Sequence, residues 1–178
     1  MRLTRRVMTI DPTTLPYRPC VGVMLVNAAG RVFVGQRIDR ATNSGATNSG
    51  GEGDFWQMPQ GGSDEGEDVT TAGLRELAEE TGIGADKVVI LAQTREELFY
   101  DLPPELLGKL WKGKYRGQRQ HWLLARFIGE DSDVRLDAHD PAEFCAFKWA
   151  DTDELVDLIV PFKKRVYRAV IDEFRALI

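Results

Sequence analysis

The sequence predicts an α/β protein in which a mixed sheet is sandwiched between helices, one of them at the C-terminus. Three observations carry this. Apolar runs of strand length, such as CVGVMLV at Cys20–Val26 and QRQHWLLARF at Gln118–Phe127, recur along the chain. A helical pattern begins near Asp68, after the Gly-rich loop at Gly61, Gly62 and Gly66, and has Gly82 placed to cap it. From Pro161 a final helix carries Phe162, Val166, Val170 and Phe174 four residues apart.

The elements follow in chain order. Residues 1–15 are polar and broken by Pro12, with Pro16 just beyond, so a loose tail is expected ahead of one domain spanning 16–178. Either Met1 or Met8 could be the start. Arg18 precedes Pro19 and is expected to be extended. Cys20–Val26 reads as a buried strand. The turn Asn27–Gly30 leads into a returning strand, Arg31–Arg37, which makes a hairpin. ATNSG then occurs twice, at 41–45 and 46–50, and Gly51 and Gly53 follow. That composition suits a flexible loop over 41–53, because lengthening a loop costs little. It reads as a tolerated expansion, or as a flap leading into Trp56.

Phe55–Met58 is a short strand before the glycine loop. On the following helix Glu76, Glu79 and Glu80 fall at i, i+3 and i+4, so their carboxylates share one face. Taken alone, such a face is usually solvated. At the C-terminal half of a helix it also opposes the dipole, and a hard divalent cation would offset the repulsion. Val69, Ala72, Leu77 and Ala78 face the sheet, and Gly73 marks close packing. Arg75 pairs with Glu67 to hold the loop. Asp86–Gln93 is a strand, which Arg95–Tyr100 extends or follows. Glu105–Lys112 is short and irregular or helical. Gln118–Phe127 is a long central strand, Phe144–Trp149 another, and Thr152–Leu158 a short helix. On the last helix Ala169 and Leu177 join the buried stripe, which leaves Lys163, Lys164 and Arg168 near the surface.

Composition sets the outer bounds. At 178 residues the chain can bury a substantial core. No apolar run approaches a membrane span, and the basic N-terminus lacks the apolar stretch of a secretory signal. Cys20 and Cys145 have no metal-ligand spacing and read as free, buried thiols in a reducing cytoplasm. The net charge of −5 argues against a general nucleic-acid coat protein. Cations nevertheless cluster at Lys109, Lys112, Lys114, Arg116 and Arg119, and again at Lys163, Lys164, Arg165 and Arg168. Trp111, Tyr115 and Phe162 flank them, a mixture that suits phosphates and stacked bases. His121, at a strand entrance, reads as making ordinary hydrogen bonds.

The ordered spacing is more specific than any single residue. Gly61, five residues, Glu67, seven residues, Arg75-Glu76-Leu77, one residue, Glu79-Glu80, one residue and Gly82-Ile83 together match the Nudix box in full. The chain therefore resembles the Nudix hydrolases. Tyr17-Arg18-Pro19, Trp56–Gly62, Gly117–Trp122, Glu143-Phe144 and Phe162–Tyr167 resemble one subgroup, the bacterial RNA pyrophosphohydrolases and dinucleoside polyphosphate hydrolases.

The resemblance implies the Nudix α/β/α sandwich and hydrolysis of a phosphoanhydride with Mg²⁺ or Mn²⁺, two or more ions, held by Glu76, Glu79, Glu80 and Glu143. Either Glu76 or Glu143 would take the proton of the attacking water. Arg18, Arg37, Gln57, Gln60, Phe162 and Lys163 would bind substrate, with Phe162 alternatively the first rung of the buried stripe. Gly61, Glu67, Arg75 and Gly82 would be structural. The leading expectation is removal of pyrophosphate from triphosphorylated RNA 5′ ends in the cytoplasm, which starts mRNA decay. A dinucleoside polyphosphate such as diadenosine tetraphosphate is the alternative substrate, and a silent nucleotide-binding regulator the alternative class.

Overall fold

The computed structural model describes residues 9–38 and 55–178. The expected inserted loop at 41–53 and the first part of the expected tail lie outside these residues. The strands are β1 (Tyr17–Val26), β2 (Val32–Arg37), β3 (Trp56–Gln57), β4 (Gln60–Gly62), β5 (Val88–Gln93), β6 (Leu98–Asp101), β7 (Gly117–Phe127) and β8 (Phe144–Ala150). The helices are α1 (Val69–Thr81), α2 (Leu155–Leu158) and α3 (Lys164–Phe174).

The centre of the sheet is the parallel pair β1 and β7, in register from Tyr17 opposite Gly117 to Val26 opposite Arg126. Both strands are covered on both faces, which explains their unbroken apolar runs. The side chains of β1 alternate between two cores. Val23 and Leu25 pack with Leu77 and Ile83 on the α1 side. Met24 and Val26 pack with Val166, Tyr167, Val170, Ile171 and Phe174 on the α3 side. Burying each of these larger side chains contributes roughly 1.5–3 kcal/mol. The sandwich anticipated from sequence is present, with a mixed sheet ordered β3-β2-β1-β7-β5, β4 against β1, β6 against β7 and β8 against β2.

Four local expectations need correction. The hairpin of β1 and β2 pairs only at Val26 and Val32, because β2 turns away to pair with β8 while β1 takes β4 and β7. Cys20 is buried but Cys145 is exposed; both are free thiols. Lys163 is buried, not superficial, and Leu177 is exposed instead of completing the stripe. The last two share a cause. A 3₁₀ turn precedes α3 at Pro161–Lys163, and another follows it at Arg175–Leu177. Three residues per turn shift the phase of the helical stripe at each end.

Candidate active site

The site is built on the loop between β4 and α1. Asp68 caps the helix by accepting from the Thr71 N–H at 3.1 Å. Gly82 ends it in the left-handed region at φ 73°, with its N–H on Ala78 O. A β-carbon at Gly73 would run into Leu123, so the helix lies hard against β7. Arg75 fastens the loop to the helix. Its Nε and Nη2 each reach one oxygen of Glu67 at 2.9 Å, and Nη2 also donates to Gly62 O at 2.9 Å. Glu67 accepts the Asp64 N–H as well, and the Arg75 bonds push its carboxyl down to about 2. The expected pair of Arg75 and Glu67 is therefore formed as a bidentate latch.

Arg75 has a second role in the geometry. Its Nη1 donates to Glu76 Oε1 at 2.7 Å and lies 3.5 Å from Glu79 Oε1. Gly61 faces the same carboxylate of Glu76 so closely that any β-carbon there would collide with it. Glu80 is buried and accepts the Gln60 N–H at 3.3 Å. Burial, and then the negative charges of Glu143 and Glu76, push its pKa well up. Burial is also the main cause of the upward shift at Glu76, which the Arg75 bond opposes. Glu143 stands just before β8, with Arg37 Nη2 3.7 Å from its carboxylate.

Glu76, Glu79, Glu80 and Glu143 thus line one pocket of about 340 Å³. Among the described residues, no three acidic, histidine or cysteine side chains are already gathered as a finished metal cage. The donor set nevertheless fits hard divalent ions. It is all carboxylate oxygen, and at Glu80 burial, together with the charges of Glu143 and Glu76, opposes ionisation, a cost that a bound cation removes.

Cations and aromatic rings form the facing wall. Arg18, Arg37 and Lys163 line the pocket with Tyr100, Trp111 and Phe162. The Lys163 ammonium lies 5.6 Å from the Tyr100 ring centroid. Burial first, and Arg37 second, push Lys163 down to about 7. Phe162 is half-buried against the core and packs on Tyr100 at 5.6 Å, so it is both part of the stripe and part of the pocket wall. Arg37 Nε is buried without a hydrogen-bond partner, so that nitrogen retains an unmet donor beside the carboxylates.

The two glutamines differ. Gln60 lines the pocket, but its Oε1 is engaged by Gln120 Nε2 at 2.8 Å, within a buried chain that includes Gln118 and Trp122. Gln57 does not line the pocket. On β3, opposite Gly35, it is buried, and its Nε2 has no hydrogen-bond partner. His121 also lies outside the pocket, with Nε2 3.6 Å from Glu97. Two members of the first basic cluster are neutralised locally, Arg116 by Asp101 and Arg119 by Glu97. Lys109, Lys112 and Lys114 remain exposed beside Trp111.

Sequence reasoning did not include Tyr100, Leu110, Trp111 or Gln118 in the site, although all four line the pocket. Tyr100 and Gln118 are cross-strand partners on β6 and β7, and only that long-range pairing brings them to it. Trp111 had a local signal, an aromatic among lysines.

Known proteins place this geometry in context. Residues 16–170 match the model of the NUDIX domain. The RNA pyrophosphohydrolase of Novosphingobium aromaticivorans is 64% identical over 164 residues, covering 92% of this chain and 96% of that protein. The RNA pyrophosphohydrolase of Sphingopyxis alaskensis is 56% identical over 169 residues, covering 95% and 99%. Among solved structures, the E. coli dihydroneopterin triphosphate pyrophosphohydrolase aligns with a TM-score of 0.65 at 22% identity, over 89% of this chain and 97% of that one, a likeness of fold. With a complete box, the expected sandwich and relatives matched nearly end to end, this chain belongs to the Nudix hydrolase family.

Proposed function

We propose that the chain removes pyrophosphate from 5′-triphosphorylated RNA, leaving a 5′-monophosphate and opening the transcript to decay. The observation that carries this is one pocket in which Glu76, Glu79, Glu80 and Glu143 face Arg18, Arg37 and Lys163. A polyphosphate chain needs both walls. The carboxylates would hold divalent cations, Mg²⁺ or Mn²⁺ and more than one. When bound, these neutralise phosphate oxygens and lower the pKa of water.

The chain's own residues do the rest. Arg18, Arg37 and Lys163 hold the phosphates in line and stabilise charge as the anhydride P–O bond breaks. Water adds to phosphorus, pyrophosphate leaves, and one carboxylate takes the water's proton. Glu76 and Glu143 are the two candidates for that base. Phe162 offers a face for a base, and the exposed Lys109, Lys112 and Lys114 continue the cationic surface outward for an RNA backbone. The names of the two similar proteins support RNA as substrate. RNA decay is cytoplasmic work in a bacterium, and no helix among the described residues is long and apolar enough to cross a membrane.

A dinucleoside polyphosphate offers the same anhydride and a base at each end, but with no further phosphodiester backbone it gives the outer lysines nothing to hold. The test is a competition in Mg²⁺ between triphosphorylated RNA and diadenosine tetraphosphate. A higher kcat/KM for the RNA, with pyrophosphate as product, is expected. Preference for the dinucleotide would make this a nucleotide-pool enzyme.

A further inference from the structure

Arg18 and Trp111 make an arrangement that phosphate binding alone does not require. The Arg18 guanidinium carbon lies 5.5 Å from the centroid of the Trp111 ring, a cation–π contact. Among the described residues the Arg18 side chain forms no ion pair, and its one hydrogen bond is a weak donation to Cys20 Sγ at 3.8 Å. Yet Glu76 and Glu79 line the same pocket, and Asp64 lines the hollow on its other side. An arginine beside three carboxylates ordinarily collapses onto one of them. Here the indole occupies it instead, and Gly62 leaves room for it, since a β-carbon there would lie 2.7 Å from Arg18 Nη2.

Placing that indole has a backbone cost. Trp111 and Lys112 both adopt the left-handed region, at φ 50° and 59°, and Gly113 follows at 73°. Two consecutive non-glycine residues there cost on the order of 1 kcal/mol each. Leu106 and Leu110, just ahead of it in the chain, are buried, and Tyr115 packs edge-on against the indole at 6.3 Å. The segment is thus anchored in a strained form whose result is a ring under Arg18.

We propose that Trp111 is a positioning residue that keeps Arg18 unpaired and aimed into the pocket, ready for a substrate phosphate. This rests on the reading of Arg18 as a phosphate contact. Without the indole, Arg18 swings to a carboxylate, and substrate must then break that pair in order to bind.

The test is a double-mutant cycle on triphosphorylated RNA, with melting temperatures as a control for folding. Trp111→Leu is expected to raise KM roughly fivefold with kcat within about twofold, the size of a partly desolvated cation–π contact. Trp111→Phe keeps an aromatic face and restores most of the KM. In an Arg18→Ala background, Trp111→Leu adds nothing further. If Trp111→Leu leaves KM unchanged, or Trp111→Phe fails to rescue it, the proposal is wrong. It is also wrong if the full penalty persists in Arg18→Ala, which would mean that the indole meets substrate directly. Should Arg18→Ala itself leave KM unchanged, the phosphate contact on which the proposal rests would fall first.

Discussion

A β-carbon at Gly61 would collide with the Glu76 carboxylate, so one hydrogen atom sets where that carboxylate can sit. Gly61→Ala should therefore lower kcat roughly ten- to a hundredfold through displacement of Glu76, with little change in melting temperature. Lys163 gives a second prediction at this scale. Burial and Arg37 push its pKa down to about 7, against an ordinary lysine value of 10.5. A group depressed in this way carries its full burial cost below pH 7, where the ammonium is charged both folded and unfolded. That cost is relieved as pH rises from 7 towards 10.5, because the folded state then sheds the proton first. On the proposed reading of Lys163 as a phosphate contact, function runs the other way, since an anionic substrate needs the ammonium. From about pH 7 to about pH 9, KM should rise by as much as about tenfold per unit, while Lys163→Gln, with a high KM throughout, should not share the rise.

Individual elements differ in how much of their geometry is local. The ends of helix α1 were legible because its cap at Asp68 and its stop at Gly82 depend on neighbours in sequence. The burial of Lys163 was misread because the 3₁₀ turn at Pro161–Lys163 looks helical but runs out of phase with α3. Tyr100 and Gln118 were invisible because the pairing of β6 with β7 is set across the sheet, and Gln57 was misplaced because its facing depends on register with Gly35. One bond ties the legible and illegible parts together. The Met58 N–H donates to the buried Tyr167 hydroxyl at 2.8 Å, joining α3 to the segment that enters the glycine loop. Tyr167→Phe leaves that N–H unmet. It should cost about 1–3 kcal/mol, seen as a drop of roughly 3–8 °C in melting temperature by calorimetry.

At the scale of the molecule, a chain of net charge −5 meets a polyanion through one local reversal of sign. The lysines at 109, 112 and 114 lie on the rim and are exposed, so their share of binding should be screened by salt. Raising ionic strength should increase KM for triphosphorylated RNA more than for diadenosine tetraphosphate, and neutralising all three lysines should remove the difference. The interior of the pocket carries the central claim, that its crowded carboxylates serve chemistry at the expense of stability. Glu80 is the sharpest case, being buried and held against ionisation by burial, Glu143 and Glu76. The decisive measurement is pyrophosphate release from triphosphorylated RNA by Glu80→Gln in Mg²⁺, with the melting temperature of the metal-free protein taken alongside. Turnover should fall at least roughly a hundredfold while the melting temperature holds or rises, since a neutral amide relieves the crowding. A variant with a near-normal rate would contradict the assignment of this pocket's carboxylates to catalysis.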